Sequence, residues 1–249
     1  MILAISTLLV PLRAGPIVTV GTQLSLVIDV SGSITDVDYD LQRQAYAASF
    51  NSSAIQNLII NSGGLVVNVV QFGTSAHATY GWTLLTDAAS ASNFATMMST
   101  MVRSESGRTD IIDGINMAYL SFANSGYDAT KKVIDVSGDG YQNQQSCTTS
   151  DTICALLQST RDTISGAGIT INGLAILSGD PSLETYYNDN LKSPGGFVEV
   201  AADFASFQTA IDLKLAREVN NVPADVPEPS TVVLLGAGLA AMAGWKLRR

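Results

Sequence analysis

The sequence is poor in histidine, cysteine, aromatic residues and positive charge. It has one histidine and two cysteines, and 7% of its 249 residues are aromatic. These residues do not supply the four ligands of a structural zinc site. Thirteen Lys and Arg stand against 22 Asp and Glu, a net charge of -9. Nucleic-acid binding needs clustered cations, so the composition excludes it. The 46% hydrophobic content excludes a disordered or collagen-like polymer.

The few cations are concentrated at the two ends of the chain. Arg13, Lys246, Arg248 and Arg249 lie outside residues 15–225, which keep nine cations against 21 acids and a net charge of −12. Such a surface repels anionic partners and can attract divalent cations.

Residues 1–12, MILAISTLLVPL, form an apolar run that is too short to span a bilayer. Arg13 and small residues follow it, as in a secretory signal peptide, although no Lys or Arg precedes the run. We predict a signal peptide over residues 1–14. A first buried strand is the alternative.

The C-terminal end also has an apolar segment. Prolines mark residues 220–230 as a linker, residues 231–245 carry no charge, and cations end the chain. We predict a short apolar helix with a basic end over residues 231–249, which contacts the membrane at least transiently. The terminal cations favour a cytoplasmic C-terminus, and therefore a domain outside the cytoplasm.

Pro227, Glu228 and Pro229, followed by the apolar segment and the basic end, resemble the bacterial PEP-CTERM sorting signal. This resemblance implies export, processing by an exosortase, and a location at the cell surface or in the extracellular matrix. In an exported protein, Cys147 and Cys154 are expected to form a local disulfide, with two buried free thiols as the alternative.

Between the ends, apolar runs typical of strands alternate with helical patterns. We predict strands at Gln23–Val30, Leu65–Phe72, His77–Leu85, Lys132–Val136, Ile169–Leu177 and Gly196–Val200, and helices at Asp36–Phe50, 87–102, 110–123, Thr152–Gly166 and Asp203–Val219. This order predicts one α/β domain over residues 15–219. Its six-stranded sheet is mostly parallel, with one antiparallel edge strand and helices on both faces. Ligands of such sheets bind at the carboxyl ends of the strands.

Oxygen-bearing side chains follow the predicted strands at that edge. Asp29, Ser31 and Ser33 alternate where the first strand ends, Thr109 precedes a predicted helix, and Asp139 follows the fourth strand. Ligands that bind only through oxygen suit a hard cation, of which we expect Mg²⁺, with Mn²⁺ and Ca²⁺ as alternatives.

These segments together resemble the von Willebrand factor A domain and its metal-ion-dependent adhesion site, over about residues 22–218. The likeness is greatest to a bacterial branch without a defined function. The resemblance implies a three-layer Rossmann-like fold, and it implies that the metal is held by Asp29, Ser31, Ser33, Thr109 and Asp139. Asp110 and Asp135 would contact these ligands without binding the metal themselves.

One repeat makes the closing ligand ambiguous. Val-Ile-Asp-Val-Ser-Gly occurs at 27–32 and again at 133–138, which would make Asp135 the equivalent of Asp29. Family spacing favours Asp139 as the ligand instead. Asp135 would then lie inside a strand, either as a hydrogen-bond acceptor behind the ligands or neutralised by Lys131 or Lys132.

The resemblance implies a metal-dependent adhesion module that accepts an acidic side chain of a protein partner. A structural matrix component with a degenerate metal site is one alternative. A metal-assisted hydrolase is another, but His77 is predicted on the third strand, away from the site, and Ser31 has no evident base. We therefore do not expect an enzyme.

Overall fold

The computed structural model describes residues 17–220, where six strands form a single sheet. The strands are β1 Val18–Asp29, β2 Leu65–Phe72, β3 Ala76–Leu85, β4 Tyr127–Gly138, β5 Thr170–Ile176 and β6 Val198–Ala201. Their order across the sheet is β3-β2-β1-β4-β5-β6. Only the β2–β3 pair is antiparallel. The predicted sheet, with its antiparallel edge strand, is confirmed.

Helices cover both faces of the sheet and make three layers. They are α1 Asp36–Asn51, α2 Ser53–Asn61, α3 Ala88–Ser99, α4 Ile111–Phe122, α5 Ala155–Gly166, α6 Ser182–Tyr186 and α7 Phe207–Val219, with a π-helical turn at Tyr187–Leu191. One core lies between the sheet and α1, α2, α3 and α7, and a second lies between the sheet and α4, α5 and α6. The central strand β1 is buried from Val20 onward because both faces are covered.

Some local predictions differ from the structure. The predicted elements did not include α2, where Ser52 accepts a hydrogen bond from the Ile55 amide and starts a second helix directly after α1. The predicted elements also did not include α6 or the π-helical turn. α7 begins at Phe207, four residues later than predicted, because Asp203 and Ser206 close a turn by side-chain hydrogen bonds.

Several predictions concern segments beyond this part of the chain. The signal peptide at 1–14, residues 221–230 of the linker with Pro227, Glu228 and Pro229, and the apolar helix at 231–249 lie outside the described residues. Among residues 17–220, no helix is both long and apolar enough to cross a membrane.

Candidate metal centre

The predicted metal ligands lie at the carboxyl edge of the sheet, on three neighbouring loops. β1 ends at Asp29, and β4 ends at Gly138, next to Asp139. Because β1 and β4 pair in parallel with Ile28 opposite Ser137, the two aspartates leave the sheet side by side. The third loop brings Thr109 to the start of α4.

A continuous chain of hydrogen bonds joins four of these side chains. The Thr109 hydroxyl donates to Ser31 Oγ over 3.1 Å, and Ser31 Oγ lies 3.2 Å from Ser33 Oγ. The Ser33 hydroxyl donates to Asp139 Oδ1 over 2.7 Å. Asp29 Oδ1 accepts a hydrogen bond of 2.8 Å from the Ser31 amide. The structure therefore brings all five predicted ligands together, and we call Asp29, Ser31, Ser33, Thr109 and Asp139 the oxygen site.

Backbone contacts fix the first of the three loops. The Arg103 guanidinium donates to the carbonyl oxygens of Val30 and Ser31 over 2.8 and 2.6 Å. The Gly32 amide donates to the Gly107 carbonyl over 2.7 Å, and a Cβ at Gly32 would lie 3.0 Å from that same oxygen. The two loops that carry Ser31 and Thr109 are thus held directly against each other.

The carboxylate of Asp29 is buried without a counter-ion. Its side chain is fully shielded from solvent, and its Oδ2 accepts no hydrogen bond from the described residues. Burial raises the pKa of Asp29 to about 7, and the negative charge of Asp139 adds to this rise. Burial also raises the pKa of Asp139. Among the described residues, no ion pair involves either carboxylate.

The donor set of the oxygen site fits a hard divalent cation. It consists of two carboxylates and three hydroxyls, and the buried Oδ2 of Asp29 has a lone pair that no donor satisfies. Within residues 17–220, no group of three or more His, Cys, Asp or Glu side chains is suited to a metal. A metal here would therefore depend on the hydroxyls of Ser31, Ser33 and Thr109 as well as on the carboxylates.

The loop after β4 holds Thr109 and Asp110 through three amide side chains, Gln142, Asn143 and Gln145, which we call the amide loop. Asn143 Oδ1 accepts a hydrogen bond of 2.9 Å from the Thr109 amide. Gln142 Nε2 donates to Asp110 Oδ1 over 2.9 Å, and Gln145 Nε2 donates to Asp110 Oδ2 over 2.8 Å. Asp110 also caps α4 by accepting from the Asp113 amide.

The amide loop was not predicted from the sequence. Its only sequence signal is the run of amides in YQNQQ, residues 141–145, directly after Asp139 and Gly140. Gln145 and Ser146 both have positive φ angles, 52° and 73°, which non-glycine residues adopt only where their surroundings hold them. The structure joins the next residue, Cys147, to Cys154 by a disulfide.

Asp135 has a different partner from those that the sequence suggested. It is fully buried in β4, and its Oδ1 lies 2.6 Å from Nζ of Lys214 in α7. Lys131 and Lys132 do not form this pair. Lys214 Nζ also lies 2.5 Å from Glu218 Oε1, which accepts a hydrogen bond from Asn172. The neutralising cation is thus 79 positions away in the sequence, on a helix that covers the sheet.

Two neighbouring tyrosines belong to the interior of the domain. Tyr186 and Tyr187 are both buried, and the Tyr187 hydroxyl lies beside the oxygen site. A Cβ at Gly138 would be 2.7 Å from Asp29 Oδ2 and 2.8 Å from that hydroxyl, so the chain has room only for glycine here.

His77 lies closer to the loops of the site than its predicted strand position suggested. It is in β3, and its Nε2 lies 3.0 Å from Oε2 of Glu105, in the loop that leads to Thr109. Its partner is therefore a carboxylate, while the Ser31 hydroxyl is bonded to other hydroxyls.

Comparisons with known proteins agree with this architecture. A family model described as a protein of unknown function, DUF1194, matches residues 19–223. A model of the PEP-CTERM protein-sorting motif matches residues 225–249. A search of curated protein sequences finds no significant match.

Solved structures share the fold at low sequence identity. Proximal thread matrix protein 1 from the mussel byssus is 17% identical to this chain, with a TM-score of 0.57. The alignment covers 81% of this chain and 47% of the mussel protein. A second structure of that protein, 18% identical with a TM-score of 0.54, has zinc in its MIDAS motif, the metal-ion-dependent adhesion site; 80% of this chain covers 46% of it.

Two bacterial proteins give similar alignments. A von Willebrand factor type A protein from Catenulispora acidiphila is 17% identical, with a TM-score of 0.57 and coverage of 80% of this chain and 43% of that one. The pilus adhesin SpaC from Lactobacillus rhamnosus GG is 15% identical, with a TM-score of 0.60 and coverage of 81% and 31%. The chain thus spans less than half the length of these proteins. The predicted von Willebrand factor A fold is confirmed.

Proposed function

This chain belongs to the DUF1194 family, and from that premise we propose that it is a divalent-cation-dependent protein-binding module that works outside the cytoplasm. One observation carries the proposal. The oxygen site collects two carboxylates and three hydroxyls on three loops at the carboxyl edge of the sheet, and the buried Asp29 Oδ2 has no partner there.

Asp29, Ser31, Ser33, Thr109 and Asp139 would hold the cation. Mg²⁺ is our first candidate and Mn²⁺ and Ca²⁺ are alternatives, because all five side chains offer oxygen. The zinc in the related motif of the mussel protein supports divalent-cation binding in general. When bound, the cation supplies positive charge that attracts a carboxylate of the partner.

The chain's own residues prepare the site for that ligand. Asp29 would bind the cation as a carboxylate. Its pKa is raised to about 7, so below that pH it must lose a proton for the cation to bind. Arg103 fixes the backbone of Val30 and Ser31, so that the Ser31 hydroxyl stays between those of Ser33 and Thr109. The amide loop anchors Thr109 through Asn143. The partner would therefore meet a preformed site.

The match of the sorting motif to residues 225–249 supports export and processing by an exosortase near Pro227, Glu228 and Pro229. The disulfide between Cys147 and Cys154 agrees with an oxidising compartment. We place the protein at the cell surface or in the extracellular matrix. Contact of the C-terminal segment with the membrane during this sorting remains part of the proposal.

We propose no catalytic role. The Ser31 hydroxyl bonds to two other hydroxyls, and His77 pairs with Glu105, so neither residue is placed as a nucleophile with its base. This arrangement favours binding over hydrolysis.

Titration calorimetry of the purified full-length chain with Mg²⁺, Mn²⁺ and Ca²⁺ tests the proposal. The unchanged protein should bind one cation, and Asp29→Asn should weaken binding on the order of 100-fold or more. Asp128→Asn is the matched control, because it removes an exposed carboxylate from the far end of β4. Equal binding by the unchanged protein and Asp29→Asn would contradict the proposal. Failure of the unchanged protein to bind any cation would instead favour a structural matrix component.

A further inference from the structure

A groove leads away from the oxygen site between α1 and the turn before α7. It begins as a cavity of about 620 Å³ at Ser33 and Asp139, with Asp38 on one wall and Asp203 on the other. A second cavity of about 290 Å³ continues along α1, and Leu41, Phe204 and Ala205 line both cavities. The groove is thus continuous with the site, where Asp29 Oδ2 is buried and unpartnered.

The walls of the groove carry negative charge that nothing in the described chain neutralises. Asp38 Oδ2 is bonded to Thr35, and Asp203 Oδ1 is bonded to Ser206, but no ion pair within residues 17–220 includes either carboxylate. A divalent cation would be balanced by Asp29 and Asp139. The charges of Asp38 and Asp203 would remain uncompensated, one on each wall.

Apolar side chains lie on the α1 side of the same groove. Leu41 is 41% exposed, and Val37, one turn earlier on the helix, is 69% exposed. Leu41 lines both cavities, whereas Val37 lies one turn beyond the groove on the same face of the helix. Leu41 therefore offers an apolar contact to a chain that occupies the groove.

The charge of the whole domain limits what can bind. A partner that was acidic throughout would be repelled by the net charge of −12 between residues 15 and 225, even if one carboxylate could reach the metal. We propose, on the basis of the proposed function, that the groove binds a polypeptide segment that places a lysine or arginine between Asp38 and Asp203, an apolar side chain against Leu41, and its carboxylate on the cation.

Synthetic peptides can test this surface with the full-length chain in Mg²⁺. The probes are labelled peptides of four to six residues. Each has one glutamate, then one, two or three glycines, then lysine and leucine. In the controls, glutamate replaces the lysine. Fluorescence anisotropy should show about tenfold tighter binding of the best lysine peptide than of its control, as expected for one or two charge pairs.

Variants of the wall separate the groove from the metal site. Asp203→Asn should remove most of the lysine preference without changing Mg²⁺ affinity, and Asp38→Asn should act similarly. Asp203→Asn leaves the first turn of α1 intact, so a folding defect in Asp38→Asn would not decide the result. Asp162→Asn removes the same charge from an exposed position on α5 and should have no effect.

The outcomes distinguish the two proposals. Mg²⁺ binding without a lysine preference, or with a preference that Asp203→Asn does not change, would overturn the groove alone. Lysine peptides that bind equally well without their glutamate would overturn the proposed joint use of groove and metal. Absence of binding of Mg²⁺, Mn²⁺ and Ca²⁺ alike would overturn the proposed function, and this inference with it.

Discussion

The same six residues, Val-Ile-Asp-Val-Ser-Gly, occur in two neighbouring strands and have different surroundings in each. In β1 the aspartate is Asp29, the last residue of the strand. In β4 it is Asp135, and the strand continues for three more residues. Asp135 lies opposite Leu26 across the pair, so the repeats are three positions out of register. Because side chains alternate along a strand, this odd shift points the two aspartates to opposite faces of the sheet.

The position of each aspartate in its strand determines whether its carboxylate has an ion-pair partner within the protein. Burial raises the pKa of both aspartates. Asp135 meets Lys214 inside the protein, so its charge is compensated by the chain itself. Asp29 lies among hydroxyls and a second carboxylate, with no ion-pair partner in residues 17–220. The charge of Asp135 is therefore compensated by Lys214, whereas Asp29 and Asp139 have no ion-pair partner among the described residues.

The largest effect should come from removing the cation of the pair between Asp135 and Lys214. Lys214→Ala leaves Asp135 and Glu218 buried without their cation, and we expect the free energy of unfolding to fall by about 3–5 kcal/mol. Urea unfolding followed by circular dichroism measures this loss. Lys132→Ala is the control, because its pair with Asp128 is partly exposed and should contribute less than about 1 kcal/mol. Similar losses in the two variants would contradict the contrast.

The proposed binding of a cation at the oxygen site should depend on pH. The raised pKa of Asp29, about 7, means that a proton competes with the cation below that pH, so affinity for Mg²⁺ should fall about tenfold per pH unit from 7 downward. Calorimetric titrations at pH 5.5, 6.5 and 7.5 measure the slope. A flat profile would show that Asp29 is already ionised at pH 5.5.

Without metal, the same shift changes the stability of the fold. The folded chain holds a proton on Asp29 that the unfolded chain has lost, so stability should fall as pH rises from about 4 to about 7. This contribution should be missing in Asp29→Asn. Urea unfolding of both proteins in a chelator, across that range, measures the difference.

A change in the amide loop should affect the oxygen site and leave the pair of Asp135 and Lys214 unchanged, because the loop bonds to Thr109 and Asp110. Gln145→Gly removes the hydrogen bonds to Asp110 while allowing the positive φ angle of residue 145. We expect Mg²⁺ affinity to fall about tenfold, the scale for residues that orient metal ligands. Gln158→Ala, which removes an amide hydrogen bond to the Asp189 carbonyl, is the control. Equal affinities would show that the hydrogen bonds of Gln145 to Asp110 do not affect the oxygen site.

The smallest effect should come from Arg103. Arg103→Lys keeps the charge but cannot reproduce the forked hydrogen bonds to Val30 and Ser31, and we expect metal affinity to fall about threefold. Arg43→Lys changes an exposed pair with Asp40 and should leave affinity unchanged. Equal affinities for Arg103→Lys and the unchanged protein would show that the charge alone is enough.

The sequence was enough to predict the sheet, its antiparallel edge and the meeting of three loops at one edge. The sheet and its edge follow from apolar runs, and the two loops after β1 and β4 follow from the rule that parallel strands end together. The place of the Thr109 loop followed from the resemblance to the von Willebrand factor A domain. It was not enough to predict the partner of Asp135, because Lys214 is brought there by the packing of α7 over the sheet. The hydrogen bonds of Gln142 and Gln145 to Asp110 also depend on tertiary geometry, which no local pattern encodes.

The central claim is that the oxygen site takes a divalent cation while the Asp135 cluster needs none. An anomalous difference map of a crystal soaked in Mn²⁺ tests both halves at once. We expect a peak enclosed by Asp29, Ser31, Ser33, Thr109 and Asp139, and no peak beside Asp135 and Lys214. A map without a peak at the oxygen site, or with one at the Asp135 cluster, would contradict it.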